Sequence, residues 1–221
     1  HQQISKKIII YLFILFSLAT INKKDLFGNF YLIKEFNING LNTLESSKVY
    51  NDLYIFKNTN IFSFDKKNIL EKIYLNQTVE KLNIFKNYPS TLDIKIQKTK
   101  YLAITKKNNI DYFVGENGNL IKNENNTFDL PYIFGNIDVS SFLYLKEIID
   151  NSKFEFNEIK DLYYYKSKRW DIETKKGLIL KMPINLDVNK LNLIYEIIDK
   201  DNFNDVKIID FRQNNMMIVN G

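Results

Sequence analysis

The sequence predicts an α+β protein with an N-terminal transmembrane helix, a small β-α-α-β-β domain and a mainly antiparallel β-domain with two helices. Three observations lead to this prediction. An apolar run near the start contains no charge, the spacing of apolar residues then alternates between helical and strand periods, and most of the remaining chain follows the strand period. We expect boundaries at 1–25 for the segment with the membrane anchor, 26–33 for a linker, 34–100 for the small domain and 101–221 for the β-domain.

The first part is an uncharged stretch from Ile8 to Ile21 with paired lysines on each side. A continuous apolar run with no polar face belongs in lipid or in a signal peptide. As a helix the run would reach roughly 21 Å, which is shorter than the ~30 Å hydrocarbon core of a bilayer. A span therefore requires the lysines to reach towards the headgroups and the bilayer to thin locally.

We expect a retained anchor rather than a cleaved leader. The alternative is a signal peptide, for which Ser17–Ala19 is an acceptable small-residue cleavage site. Lysines on both sides leave the orientation weakly specified, and a basic tail before the segment would place the N-terminus inside the cell. The residues predicted to face lipid are Ile8, Leu12, Phe13, Leu15, Phe16 and Leu18.

Two helices are predicted in the small domain, because two groups of apolar residues recur at helical spacing behind a candidate N-cap. The first helix is predicted to have Ser46 or Ser47 as its cap and Val49, Leu53 and Phe56 on its apolar face. The second is predicted to have Asp65 as its cap and Ile69, Leu70 and Ile73 on its apolar face.

Three strands complete the small domain. One ends at Gly40, and two more follow the helices over 79–85 and 92–98, joined by a turn at Pro89. The last of them alternates apolar and polar residues at period two, which is typical of a strand with one solvated face. The side chains expected in the core include Phe62, Phe64 and Ile84.

The β-domain is predicted from strand-like segments that two helices interrupt. The pair Asn117-Gly118 between apolar segments is the strongest hairpin signal of the chain. The first helix is expected to begin at Ser140 or Ser141 and the second at Asp187, and Trp170 is expected in the core. The later strands are predicted over 159–165, 169–174, 206–212 and 216–219.

The composition removes most kinds of catalytic site. The chain has no Cys, and its single His is the first residue, so disulfides, thiolate zinc sites and nearly all imidazole catalysis are excluded. No glycine-rich phosphate loop is present. The net charge of +5 is spread over scattered lysines rather than a basic stripe. We therefore expect no enzyme activity, no cofactor or metal, no nucleic acid and no small-molecule substrate; a membrane-anchored hydrolase would need converging carboxylates in the β-domain.

The end of the chain is the main candidate for a binding site. Residues 214–220 contain the last predicted strand and end the predicted sheet, with no later strand to cover them. An exposed strand edge invites another polypeptide to add a strand. Next to it, the Arg212 guanidinium could pair either with a partner carboxylate or with Asp210 of its own domain.

A colinear series of short motifs runs through both predicted domains. They occupy 36–40, 61–65, 89–96, 130–135 and 206–212, the last of these containing the Asp-x-Arg of Asp210 and Arg212. In this order they resemble the motifs of the FtsQ/DivIB family of bacterial cell-division proteins, and the strand-helix-helix-strand-strand order resembles a POTRA domain. The resemblance covers nearly the whole chain.

This resemblance implies a non-enzymatic scaffold in the cytoplasmic membrane, with a single pass, the N-terminus in and both domains periplasmic at the division septum. It implies recruitment of FtsB/FtsL-like division proteins, which would add a strand beside the end of the chain. The alternative is a POTRA-containing transport or outer-membrane assembly factor, although too few residues follow the small domain for its barrel. The residues that the resemblance assigns to partner binding are Lys168, Arg169, Arg212, Gln213, Asn214, Asn215, Met216 and Met217.

Overall fold

A computed structural model describes two compact units. The residues it describes are 6–20, 30–124, 127–200, 203, 206–213 and 216–220. The first unit contains residues up to 76 together with 81–97, and the second contains 77–80 together with 98–221.

The apolar N-terminal segment is helical. Helix α1 spans Lys6–Thr20, and the residues predicted to face lipid lie along it with exposed side chains. Within the described part of the chain, no helix combines the length and the apolar character that a bilayer span requires. The membrane anchor therefore stays a prediction.

The small domain has the predicted element order. Its elements are β1 (Glu35–Asn39), α2 (Thr43–Leu53), a 3-10 turn (Tyr54–Phe56), α3 (Lys66–Tyr74), β2 (Val79–Asn87) and β3 (Thr91–Lys98). The sheet order is β1-β3-β2, and β1 runs parallel to β3. The two helices account for this parallel pairing, because they connect β1 to the β2–β3 hairpin. That hairpin turns at Pro89, as predicted.

One of the two predicted helix caps in this domain is wrong. Helix α2 begins at Thr43, and its cap is Asn42, whose side chain accepts a hydrogen bond from the Glu45 backbone at 2.8 Å. The Glu45 carboxylate in turn accepts from the Asn42 backbone at 3.2 Å, which completes a capping box. Ser46 and Ser47 lie inside the helix instead. Asp65 caps α3 as predicted, accepting from the Lys67 backbone at 2.9 Å.

The core of the small domain differs from the prediction at one aromatic residue. Ile84 is buried as expected and Phe64 is half-buried, but Phe62 is 56% exposed. Its neighbour Ile61 takes the core position and is fully buried. The Asn60 side chain accepts the Phe62 backbone N–H at 2.8 Å, and in this turn conformation the phenyl ring lies outside the core.

The β-domain contains a nine-stranded sheet among the residues described. Its elements are β4 (Tyr101–Lys107), β5 (Ile110–Gly115), β6 (Leu120–Lys122), β7 (Tyr132–Phe134), α4 (Val139–Asp150), a 3-10 turn (Phe156–Glu158), β8 (Ile159–Tyr164), β9 (Trp170–Thr174), β10 (Ile179–Lys181), α5 (Val188–Lys200), β11 (Ile208–Asp210) and β12 (Ile218–Asn220). The strand order is β12-β11-β10-β9-β8-β7-β4-β5-β6.

The sheet is mixed: among the described residues, five of the strand pairings are antiparallel, as predicted for most of the domain, and three are parallel. Strand β7 runs parallel to both β4 and β8, and β10 runs parallel to β11. The two predicted helices account for two of these pairings, because α4 connects β7 to β8 and α5 connects β10 to β11 as crossovers, whereas β5 and β6 lie between β4 and β7 along the chain. Helix α4 also begins one or two residues before the predicted serine caps, at Val139.

The core of the β-domain lies between this sheet and the two helices. Adjacent strands align Leu162, Ile172, Leu180 and Ile209 in one cross-strand row, and all four are fully buried. Apolar residues of α4 and α5 belong to the same cluster. Trp170 is 7% exposed, which confirms its predicted place in the core.

Gly40 in the small domain and Gly177 in the β-domain allow a matched test of one close backbone contact. Gly40 has a φ of +98°, and a Cβ built there would lie 1.7 Å from the Ile96 carbonyl oxygen, whereas Gly177, at +84°, has no atom within 4 Å. We expect Gly177→Ala to cost only the left-handed backbone conformation, roughly 1 kcal/mol. Gly40→Ala also moves backbone, and we expect it to cost at least ~2 kcal/mol more.

Urea unfolding of the full chain in detergent, followed by circular dichroism, measures both changes. Equal losses in the free energy of unfolding for the two variants would contradict the close approach of Gly40 to Ile96.

Candidate partner-binding edge

The candidate site is built on β12, the last strand of the sheet. It pairs antiparallel with β11, with Ile218 opposite Asp210 and Val219 opposite Ile209. It occupies the end of the strand order, and within the described residues no strand lies along its other side. The backbone N–H and C=O groups on that side are available to a further strand.

The side chains of this edge are apolar and exposed. Met216 is 58% exposed, Met217 39%, Ile218 49% and Val219 40%. Edge strands of folded proteins usually carry charges or proline, which discourage pairing with other chains. Four consecutive exposed apolar residues beside an open edge favour a binding role. We call residues 216–220 the terminal edge.

A row of alternating charges crosses the sheet towards the terminal edge. Asp171 on β9 is paired with Lys181 on β10, and Lys181 is paired with Asp210 on β11. Ile218 follows Asp210 in the same row. Opposite charges on neighbouring strands stabilise the pairing. The row therefore gives one face of the terminal edge a polar border.

Arg212 pairs with its own domain. Its Nε donates to both Asp210 carboxylate oxygens at 2.8 Å, its Nη2 donates to Oδ2, and its backbone N–H donates to Oδ1 at 3.0 Å. The hydrogen bonds from Arg212 lower the pKa of Asp210 and raise the pKa of Arg212. The Arg212 side chain remains 44% exposed. Of the two roles left open by the sequence, the intradomain pair is present, and partner contact stays a prediction.

Arg169 is held more tightly than the sequence suggested. Its Nε donates to Oδ1 of the buried Asp171 at 3.2 Å, and its guanidinium lies 4.4 Å from the centre of the Tyr165 ring. The Arg169 side chain is only 17% exposed. Asp171 and Tyr165 also act electrostatically on Arg212, so the two arginines belong to one polar cluster. Lys168 stands exposed in the turn before β9, with a φ of +62°.

The structure places most of the predicted site residues in two environments. Arg169 and Arg212 belong to the polar cluster around Asp171, whereas Gln213, Met216 and Met217 are exposed near the terminal edge, and Lys168 is exposed in the turn before β9. Asn214 and Asn215 lie outside the described residues.

The last predicted strand, 216–219, overlaps β12 (Ile218–Asn220), so the predicted edge at 214–220 includes this strand. The residues that the resemblance assigns to partner binding end at Met217, whereas Ile218 and Val219 form β12 itself. Asp171, which the sequence did not single out, is the buried acid that holds Arg169. Asp171 gave no signal, because its burial depends on strands far away in sequence.

No metal site accompanies the terminal edge: the described residues contain no cluster of three His, Cys, Asp or Glu side chains suited to a metal ion. A cavity of about 510 Å³ lies elsewhere in the β-domain, with Glu158 and Asp199 in its lining beside Lys175 and Lys176.

Comparison with known proteins gives the class of the chain. Residues 32–98 match the FtsQ-type POTRA domain, and residues 103–212 match the C-terminal domain of cell division protein FtsQ/DivIB. These two matched domains define a bacterial cell-division protein. The chain belongs to the FtsQ/DivIB family. The match favours this class over a transport or outer-membrane assembly factor.

Individual relatives are distant. The chain is 24% identical over 208 residues to cell division protein DivIB of Clostridium botulinum strain Hall, covering 94% of this chain and 73% of that protein. It is 30% identical over 93 residues to DivIB of Staphylococcus aureus strain NCTC 8325, covering 42% of this chain and 21% of that protein. The matched region thus spans about a fifth of the Staphylococcus protein.

Among solved structures, the chain is similar to the major extracytoplasmic domain of DivIB from Geobacillus stearothermophilus. The identity is 13% and the TM-score 0.34, with 48% of this chain and 98% of that chain covered. The family match ends at Arg212, so the terminal edge lies just beyond it.

The Asp210–Arg212 pair predicts a dependence of stability on pH. A carboxyl whose pKa is lowered by folding stabilises the fold above its unfolded-state pKa, and this contribution is lost as the pH falls through the folded-state pKa. The pKa of Asp210 is lowered in this way. We expect the wild type to lose more of its free energy of unfolding than Asp210→Asn between about pH 7 and about pH 3.

The single Trp170 in the core reports on unfolding of the β-domain by fluorescence in urea. Asp129→Asn is the control, because it removes a carboxylate that is 90% exposed and should keep the wild-type pH profile. Identical pH profiles for Asp210→Asn and the wild type would contradict the prediction.

Proposed function

We propose that this chain is a division scaffold that recruits FtsB/FtsL-like division proteins at the septum by accepting a partner strand along β12. The observation behind the proposal is the terminal edge, in which an open strand edge and exposed apolar side chains coincide. The scaffold acts through binding, as the membership in a cell-division family without known catalysis supports.

Strand addition suits the backbone of β12. Its hydrogen bonds with β11 occupy one side, and a partner strand on the other side would satisfy the remaining N–H and C=O groups without moving the sheet. Main-chain hydrogen bonds of this kind supply affinity, whereas alternate side chains supply specificity.

The side chains of the terminal edge would contact a partner on both faces of the sheet. Ile218 shares a face with Asp210, and Val219 shares the opposite face with the buried Ile209. A partner strand with apolar residues at matching positions would extend the core row beyond Ile209. Each apolar side chain that such an interface fully buries contributes ~1.5–3 kcal/mol before the costs of association.

Polar selectivity would come from Arg212. Its guanidinium is held in place by Asp210 and remains 44% exposed beside the open edge. A guanidinium whose orientation is fixed in advance loses less conformational entropy when it pairs with a carboxylate. We therefore expect an acidic residue on the partner near the start of β12.

We further propose that α1 holds the chain in the cytoplasmic membrane, with the N-terminus in and both domains outside. The helix contains the uncharged run from Ile8 and has lysines at its beginning. A tether in the same membrane as the partner raises the effective concentration of the two proteins, so a weak strand contact can suffice.

Ile218→Asp tests the partner site. A carboxylate on the open edge opposes burial and strand pairing, so we expect capture of an FtsB/FtsL-like ectodomain by the full chain to fall by at least ~10-fold. Ile110→Asp is the matched control, since Ile110 is 38% exposed at the start of β5, near the other end of the strand order. Retained binding by Ile218→Asp, measured by pull-down and biolayer interferometry, would remove the terminal edge as the partner site.

Charge reversal at Arg212 tests the polar contact separately. We expect Arg212→Glu to weaken capture by at least ~10-fold, because it opposes a partner carboxylate, while Arg212→Lys should retain part of the binding. Capture that is unchanged in both variants would leave Arg212 with its intradomain role alone.

Deletion of residues 6–20 tests the anchor. We expect the full chain to remain with membranes after an alkaline carbonate wash and the deletion variant to be released. Retention of the deletion variant in the washed membranes would contradict the role of α1.

A further inference from the structure

We propose that the small domain has a second binding surface, which lies against the headgroup region of an anionic bilayer. It is formed by the aromatic rings of Phe30, Tyr31, Phe62 and Tyr88 with the lysines Lys34 and Lys86, and we call it the aromatic tip. The proposal goes beyond the partner site on β12 and requires only that the chain be held at a membrane, as proposed for α1.

The rings of the aromatic tip form a continuous series. Tyr31 lies 5.3 Å from Phe30 and 5.0 Å from Phe62, and Phe62 stacks on Tyr88 at 5.0 Å between ring centroids. Contacts at these distances are favourable aromatic pairs. Three separate segments of the domain thus bring their aromatic rings to one place.

This series is exposed rather than part of the core. Phe30 is 54%, Phe62 56% and Tyr88 53% exposed. The core of the domain uses other side chains of the same segments: Ile33 and Ile61 are fully buried. Single exposed apolar residues are ordinary, but a contiguous exposed aromatic cluster marks a binding surface.

Lysine is the charged residue type within the segments that form the cluster. The segments 30–34, 57–64 and 85–90 contain three lysines, and the acidic residues Glu35 and Asp65 follow directly after two of them. The Lys57 Nζ lies 5.4 Å from the centre of the Tyr54 ring. The Lys86 Nζ donates to the Phe62 carbonyl at 3.3 Å and lies 4.8 Å from the centre of the Phe64 ring. The Lys86 ammonium therefore lies at the backbone of Phe62, the central residue of the ring series. Each basic residue near an anionic lipid surface adds roughly 1 kcal/mol of attraction.

Chain connectivity places the aromatic tip close to the apolar helix in sequence. Phe30 follows Thr20, the last residue of α1, by ten positions. Ten residues reach at most ~36 Å even when fully extended. A chain anchored through α1 therefore keeps the aromatic tip within reach of the bilayer surface.

The combination of tyrosine and lysine favours a lipid surface over a protein as the ligand of the aromatic tip. Tyrosine rings with lysine neighbours are enriched at membrane interfaces, where the ring body contacts acyl chains and the hydroxyl or ammonium contacts headgroups. A protein partner would have to present acidic groups at fixed positions opposite Lys34 and Lys86. An anionic bilayer provides negative charge over the whole surface without such a match.

The absence of cysteine makes this proposal directly testable, since one introduced Cys gives one labelling site. Asn87 is exposed beside Tyr88, and Gln97 is exposed at the opposite end of β3. The full chain with Asn87→Cys or Gln97→Cys is labelled with a fluorophore that nitroxides quench. Each protein is reconstituted in phosphatidylcholine–phosphatidylglycerol vesicles that contain lipid with a nitroxide on the headgroup.

We expect quenching at position 87 to exceed quenching at position 97 by at least ~2-fold, and the difference to shrink in vesicles without phosphatidylglycerol. Adding Phe62→Ser with Tyr88→Ser should abolish the difference. Leu75→Ser is the matched control, because Leu75 is 77% exposed at the far end of α3 and its loss should leave the difference unchanged.

Several results would overturn the proposal. Equal quenching at the two positions, or a difference that survives the double serine change, would remove the aromatic tip as a lipid contact. Efficient bis-maleimide cross-linking between copies at position 87 would assign the surface to a second copy of the chain. If the vesicles float without the protein, both the anchor and the aromatic tip are rejected as membrane contacts. If the protein floats with the vesicles but quenching is equal at the two positions, only the aromatic tip is rejected. Partner capture through β12 is independent of both outcomes.

Discussion

A strand at the edge of a sheet has one row of backbone donors and acceptors that its own domain leaves to solvent or to another chain. In this protein the constraint falls on β12, which pairs with β11 and has the end position in the sheet. Natural proteins usually protect such an edge with charge, proline or a covering loop. Here the edge has methionine, isoleucine and valine side chains that are 39–58% exposed. An open edge of this composition favours unwanted strand pairing in an isolated protein, whereas a bound partner strand would bury its apolar side chains.

The topology explains why the last strand comes to lie outside. Helix α5 carries the chain from β10 to β11 as a parallel crossover, and the chain then reverses once to form β12. A final antiparallel strand after a crossover adds to the outer side of the sheet, because β10 already occupies the inner side of β11. The buried row through Leu180 and Ile209 fixes this order against the helices. The site therefore depends on the packing of the core next to it.

The two proposed surfaces differ in chemistry in a way that suits different ligands. The terminal edge offers backbone hydrogen bonds in a fixed register, which only another strand can match. The aromatic tip offers rings and ammonium groups with no directional pattern, which a fluid lipid surface can match as well as any rigid one. Arg212 belongs to the first kind, because Asp210 fixes its guanidinium, whereas Lys86 belongs to the second, with its ammonium beside the Phe62 carbonyl.

The sequence by itself determined the element order, the Asp65 cap, the turns at Pro89 and Asn117-Gly118, the burial of Trp170 and the family resemblance, because each depends on local spacing or on short motifs. Only the tertiary structure decided which of two adjacent apolar residues, Ile61 or Phe62, enters the core, since the turn held by the Asn60 side chain leaves the Phe62 ring outside. The tertiary structure also decided three further features: the parallel pairings, the open side of β12 and the hydrogen bond from Arg169 to Asp171. Each joins residues on different strands, and no local pattern records which strands become neighbours.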